Sequence, residues 1–98
     1  MIRKVLFLLL LSLLVVSAAT AQDTVTLTYL VDDSQNSQDM AKALVEAFMA
    51  QNPNITINIE SRPGGTDGDN IVKTRLATGD MTDIFFYNSG SLLQALNP

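Results

Sequence analysis

The 98-residue sequence contains no cysteine, no histidine and no tryptophan. Without cysteine there is no disulfide framework and no thiolate nucleophile. Without histidine there is no imidazole for acid–base catalysis or for an ordinary zinc site. Ser89 precedes Gly90 but has no histidine partner anywhere in the chain, which excludes a serine triad within it. Basic residues are scarce as well: six Lys and Arg stand against ten Asp and Glu, for a formal net charge of −4. Such a chain lacks the basic patches that nucleic acid phosphates or anionic membranes require, so neither is an expected partner.

One long hydrophobic run is present, and it lies at the amino terminus. Arg3 and Lys4 precede an apolar stretch from Val5 to Val16 interrupted by Ser12 alone, and Ser17 to Ala21 are small residues. Ala19-Thr20-Ala21 fits the small-x-small cleavage pattern, so residues 1–21 read as a secretory signal peptide cut near Ala21, its core too short to span a membrane comfortably. The mature chain is therefore expected to be exported, periplasmic or extracellular, and to begin near Gln22. It keeps four basic residues against ten acidic ones, a net charge of −6. Residues 22–98 are near the lower size limit for a single core without disulfides or metal. They stop at Leu96-Asn97-Pro98 just after a helix begins, the pattern of a truncated amino-terminal piece of a longer protein.

The mature part alternates strand and helix. Val25–Val31 alternates Val, Leu, Tyr and Val with threonines, the two-residue period of a strand. Short polar residues from Asp32 to Ser37 follow, and Ser34, Asn36 or Ser37 is suited to cap a helix over 38–51. In that helix Met40, Ala41, Leu44, Val45, Phe48 and Met49 form one apolar stripe, and Lys42 and Glu46 are spaced to pair on the other side. Asn52-Pro53-Asn54 ends it, and 55–60 alternates as a second strand. Residues 61–69 read as a flexible loop, with Asp67 or Asp69 capping a short helix over 70–78 whose apolar side is Ile71, Val72 and Leu76. Gly79 is placed to take the left-handed conformation that closes that helix. Ile84 to Tyr87 has no polar alternation and predicts a third strand covered on both faces, and a helix begins at Ser91. This order predicts an α/β fold: a parallel sheet with right-handed crossovers and flanking helices.

In a parallel sheet the loops after the strands collect at one edge. That edge would gather Asp32, Asp33 and Ser34 from the first loop, Glu60 and Arg62 from the second, and Tyr87, Asn88 and Ser89 from the third. Carboxylates and amides bond sugar hydroxyls and an aromatic ring stacks on a sugar's apolar face, so the set suits a neutral polyhydroxyl ligand. Individually these are also the residue types of helix caps and solvated turns. Sharper motifs fail: Gly64 to Gly68 is followed by no Gly-Lys-Ser/Thr, and Asp67 to Asn70 lacks the rest of a calcium loop. Asp32 and Asp33 are adjacent in sequence and do not make a facing glycosidase pair. No catalytic residue, metal site or cofactor is expected.

The sequence resembles the amino-terminal part of family 1 extracellular solute-binding proteins, the sugar-binding components of ABC importers. The resemblance rests on four features: the export signal, the strand Val25–Val31, the run Phe48-Met49-Ala50-Gln51-Asn52-Pro53-Asn54-Ile55, and Leu76-Ala77-Thr78-Gly79-Asp80 leading to Asp83-Ile84-Phe85-Phe86-Tyr87. It implies part of the first lobe of a two-lobed, hinged, type II periplasmic-binding-protein fold, of which this chain would supply about the first fifth or quarter. The implied function is non-enzymatic: delivery of a sugar or oligosaccharide to a membrane permease by a monomeric receptor. The implied ligand contacts are the loops at Asp32-Asp33-Ser34, Glu60 to Arg62 and Tyr87-Asn88-Ser89. Two other readings are an exported α/β hydrolase and a small stand-alone secreted domain.

Overall fold

A computed structural model describes residues 23–96; the expected signal peptide lies outside them. Three strands and three helices alternate: β1 (Val25–Asp32), α1 (Gln35–Gln51), β2 (Ile55–Arg62), α2 (Gly65–Thr78), β3 (Ile84–Phe85) and α3 (Ser91–Gln94). All strand pairs are parallel, in the order β2-β1-β3. β1 and β2 pair along their whole length, from Val25 beside Ile55 to Asp32 beside Arg62. β3 joins the other edge of β1 through Tyr29 beside Ile84 and Leu30 beside Phe85.

The connection from β1 steps to one side and the connection from β2 steps back over β1 to the other. Right-handed crossovers in opposite directions place their helices on opposite faces. Register agrees: Leu30, Asp32, Glu60, Arg62 and Phe85 share one face, and Arg75 of α2 reaches Glu60 there at 3.0 Å. The layers are helix, sheet, helix. Leu30 and Val31 point to opposite faces of the central strand and both are fully buried, joined by Ala41 and Val45 of α1 and Val72 of α2.

Several boundaries differ from expectation. α1 begins at Gln35 because Ser34 is its N-cap, its hydroxyl accepting from the Ser37 amide at 3.3 Å. α2 begins at Gly65, so most of the expected loop 61–69 is helix, and neither Asp67 nor Asp69 caps it. The first turn of α2 lies against the end of β2: a Cβ on Gly68 would meet the Pro63 carbonyl oxygen and lie 2.6 Å from Arg62 Nη1. Glycine there serves close approach, which is why a glycine-rich stretch is helical here. The apolar stripe of α1 is buried only along Ala41 and Val45; Met40, Leu44 and Phe48 stay exposed, Leu44 at 57%. Similarly, Ile84 and Phe86 are exposed, so β3 is not covered on both faces among the described residues. Lys42 and Glu46 form no ion pair; among the described residues Arg75 and Glu60 do.

β3 is short because side-chain bonds do part of its pairing. Asp83 Oδ2 accepts from the Thr28 amide at 2.9 Å and the Thr28 hydroxyl at 3.1 Å, and the Asp83 amide donates to Thr28 Oγ1 at 3.2 Å. Beyond Phe85, the Phe86 amide donates to the Leu30 carbonyl at 2.8 Å. At the end of α2, Gly79 adopts φ 72° as expected and the Asp80 amide returns to the Arg75 carbonyl at 2.9 Å.

Two substitutions test these closures by urea denaturation. Gly79→Ala should destabilise the chain by about 1 kcal/mol, since a Cβ disfavours the left-handed conformation. Asp83→Ala should cost about 1–2 kcal/mol by freeing the Thr28 amide, and an unchanged midpoint would remove Asp83 as the fastener of β3.

Candidate binding edge at the strand tips

The carboxyl ends of the three strands lie along one rim, and β1 is where the crossover direction reverses. In open α/β sheets the ligand crevice forms outside the carboxyl ends of the strands at such a reversal. Here that means between the β1–α1 loop and the segment leaving β3. The amino termini of α1 and α2 also face this rim, so their backbone dipoles present partial positive charge to it.

Asp32 ends β1 and is engaged by its own loop. Oδ1 accepts from the Ser34 amide at 2.9 Å, Oδ2 accepts from the buried Ser37 hydroxyl at 2.8 Å, and the Asp32 carbonyl accepts from Gln38 Nε2 at 2.7 Å. Hydrogen bonds from Ser34 and then Ser37, with a smaller contribution from the Arg62 guanidinium, hold its carboxyl below the ordinary aspartate value. Ser34 is likewise occupied, with its Oγ 3.0 Å from Ser37 Oγ. Asp33, by contrast, is exposed and makes no side-chain hydrogen bond among the described residues.

On β2 the two candidates separate. Glu60 turns to Arg75 at 3.0 Å, one strand repeat behind the tip and away from the rim. Arg62 is 4% exposed. Its Nη1 donates to the Pro63 carbonyl at 3.1 Å and its Nη2 to the Phe86 carbonyl at 3.3 Å. The guanidinium carbon lies 5.6 Å from the centre of the Tyr87 ring, within cation–π range. Tyr87 also meets Phe85 in a tilted arrangement, ring centres 6.5 Å apart and planes at 59°. Its hydroxyl is buried and has no hydrogen-bond partner among the described residues, and burial together with the Asp69 carboxylate pushes the phenol above its ordinary value. Asn88 and Ser89 follow in an exposed loop leading to α3.

Of the eight candidates, then, Asp32, Ser34, Arg62 and Tyr87 form the frame of the rim. Asp33, Asn88 and Ser89 stand open on it, and Glu60 stands apart. Sequence reasoning missed Asp69 and Gly68, which it read as part of a loop. The helical start of α2 brings both against the Arg62–Tyr87 pair. No group of three or more metal-ligating side chains occurs among the described residues. No helix among them is long and apolar enough to cross a membrane.

No family model matches the sequence, and no curated protein matches it. Among solved structures, it is similar to an extracellular solute-binding protein family 1 from Alicyclobacillus acidocaldarius subsp. acidocaldarius DSM 446, with a TM-score of 0.58 and 28% identity. The fold matches that of a family 1 solute-binding protein. The expected resemblance and the expected α/β class are thus found in the structure, over 66% of this chain. The chain covers 16% of that solute-binding protein, whose name places it outside the cell.

Asp32 generates a pH prediction. Its folded-state pKa lies below the unfolded value of 3.8, so its stabilising effect is complete above that value and is lost as pH falls through the lower folded value. Asp32→Asn should lower stability at neutral pH and flatten the acid limb of the denaturation profile below about pH 4. An acid limb unchanged by the substitution would contradict the assignment.

Proposed function

We propose that this chain forms the opening part of the first lobe of a solute-binding protein, which collects a sugar or oligosaccharide and passes it to the permease of an ABC importer. Residues 1–21 are then its export signal, cut near Ala21, and residues 22–98 the start of a lobe that a second, hinged lobe closes on the ligand. The protein works as a monomer and catalyses no reaction. The observation that carries this reading is the collection of three polar loops at the point where the sheet reverses direction.

Charge favours a neutral ligand over an anion. Asp32, Asp33, Asp67 and Asp69 surround the rim against the single guanidinium of Arg62, whose hydrogen bonds go to backbone carbonyls. The four carboxylates outweigh the partial positive charge of the two helix ends, so phosphate or carboxylate groups would meet net repulsion, whereas sugar hydroxyls donate to carboxylates and exchange hydrogen bonds with amides. Asp33, Asn88 and Ser89 are the direct contacts in this reading. Ser34 contributes at the edge of its loop, and Tyr87 supplies an apolar surface beneath the ligand. Asp32 and Arg62 act from behind, and Glu60 contributes least.

Calorimetric titration of the protein encoded by the complete reading frame against a panel of oligosaccharides should give saturable binding to at least one. Asp33→Ala and Asn88→Ala should each weaken that binding roughly tenfold, the worth of one polar contact, with the thermal midpoint unchanged. Silence across the panel would defeat the sugar assignment. Turnover of any glycoside in the same samples would replace the receptor with a hydrolase.

A further inference from the structure

β3 contributes only Ile84 and Phe85 to the ladder, and the last backbone bond to β1 is made by the Phe86 amide. Past that point the sheet no longer dictates the direction of the chain. The next restraint comes from two strands away: Arg62, at the end of β2, passes the end of β1 and donates to the Phe86 carbonyl while its guanidinium lies by the Tyr87 ring. The same guanidinium holds the Pro63 carbonyl at 3.1 Å, where the chain turns from β2 into α2. Asp32 is its register partner on β1. A side chain 4% exposed therefore bonds the exits of β2 and β3 while its own backbone lies beside the end of β1.

We propose that Arg62 is a positioning residue: it sets where Asn88 and Ser89 stand across the crevice from Asp33, and it does not itself contact the ligand. Planarity is what suits arginine to this place, because two donors diverge in fixed directions to two carbonyls while the flat group faces the ring. Lysine supplies the charge but only a point donor. Gly68 belongs to the same device, since its missing side chain leaves room for Nη1 and for the Pro63 carbonyl. The inference rests on the proposed binding reading only for what the loop recognises; the placement of the loop is a property of the chain itself.

Two measurements on Arg62→Lys decide it. In amide hydrogen exchange, the Phe86 amide, which donates to the Leu30 carbonyl, should exchange roughly tenfold faster than in the wild type, the effect of giving up the charge-assisted bond on the same peptide segment. Residues 25–30 and 55–60 should keep their rates. Unchanged exchange at Phe86, or an equal acceleration throughout, overturns the proposal. With a saccharide that binds the wild type, Arg62→Lys should weaken binding about tenfold, and Asn88→Ala added to it should cost little more, because the contact is already misplaced. Full additivity would mean that Arg62 acts separately from the loop, which overturns its positioning role. If no saccharide binds, the sugar reading falls while the exchange result still decides the role of Arg62. Should Arg62→Lys fail to fold, Tyr87→Leu takes its place: faster exchange at Phe86 with 25–30 and 55–60 unchanged supports the proposal, and no change at Phe86 overturns it.

Discussion

Right-handedness of the strand–helix–strand connection is the constraint from which this structure follows. β1 lies between its two successors, so the chain must cross once in each direction, and each crossing places its helix on a different face. The central strand must then bury both sides. Leu30 and Val31, adjacent in sequence, do so completely. The same reversal parts the β1 loop from the β3 exit, the place where ligand crevices form in open α/β sheets. Core and candidate site are two results of one strand order.

The rim divides its polar groups by burial. Asp32 has both carboxylate oxygens engaged by its own loop, and Arg62 donates to two carbonyls. Asp32 thus has little left to offer a ligand, and burial withdraws Arg62 from one. Engaging them nevertheless fixes the backbone from which Asp33, Asn88 and Ser89 project, and a contact held in place loses less freedom on binding. Similarity to a family 1 solute-binding protein places this arrangement in a fold whose named example works outside the cell.

Strand order apart, the architecture was legible because β1 and β2 each carried a two-residue period, β3 lay in a short unbroken apolar run, and the first two helices had their own stops: Asn52-Pro53 after α1 and Gly79 after α2. The start of α2 was not legible. Gly64, Gly65 and Gly68 have the composition of a loop, and only the proximity of the Pro63 carbonyl shows that Gly68 is there for closeness. Nor could alternation show that Asp83 would bond Thr28, fifty-five residues away in the chain. At the site, chain order placed all eight candidates near the rim but could not sort them. Burial sorts them: Arg62 and Ser89 are both polar residues after strands, yet Arg62 is buried and Ser89 exposed.

The brevity of β3 has a consequence for self-association. A long uncovered border strand offers a row of unsatisfied amides and carbonyls onto which a neighbouring molecule can zip. Among the described residues the border at β3 is two residues long, against eight at β2, and the chain bends into Asn88 and Ser89 almost at once. The segment with the most aromatic character in the protein is thereby kept from serving as a template for stacking one copy on the next.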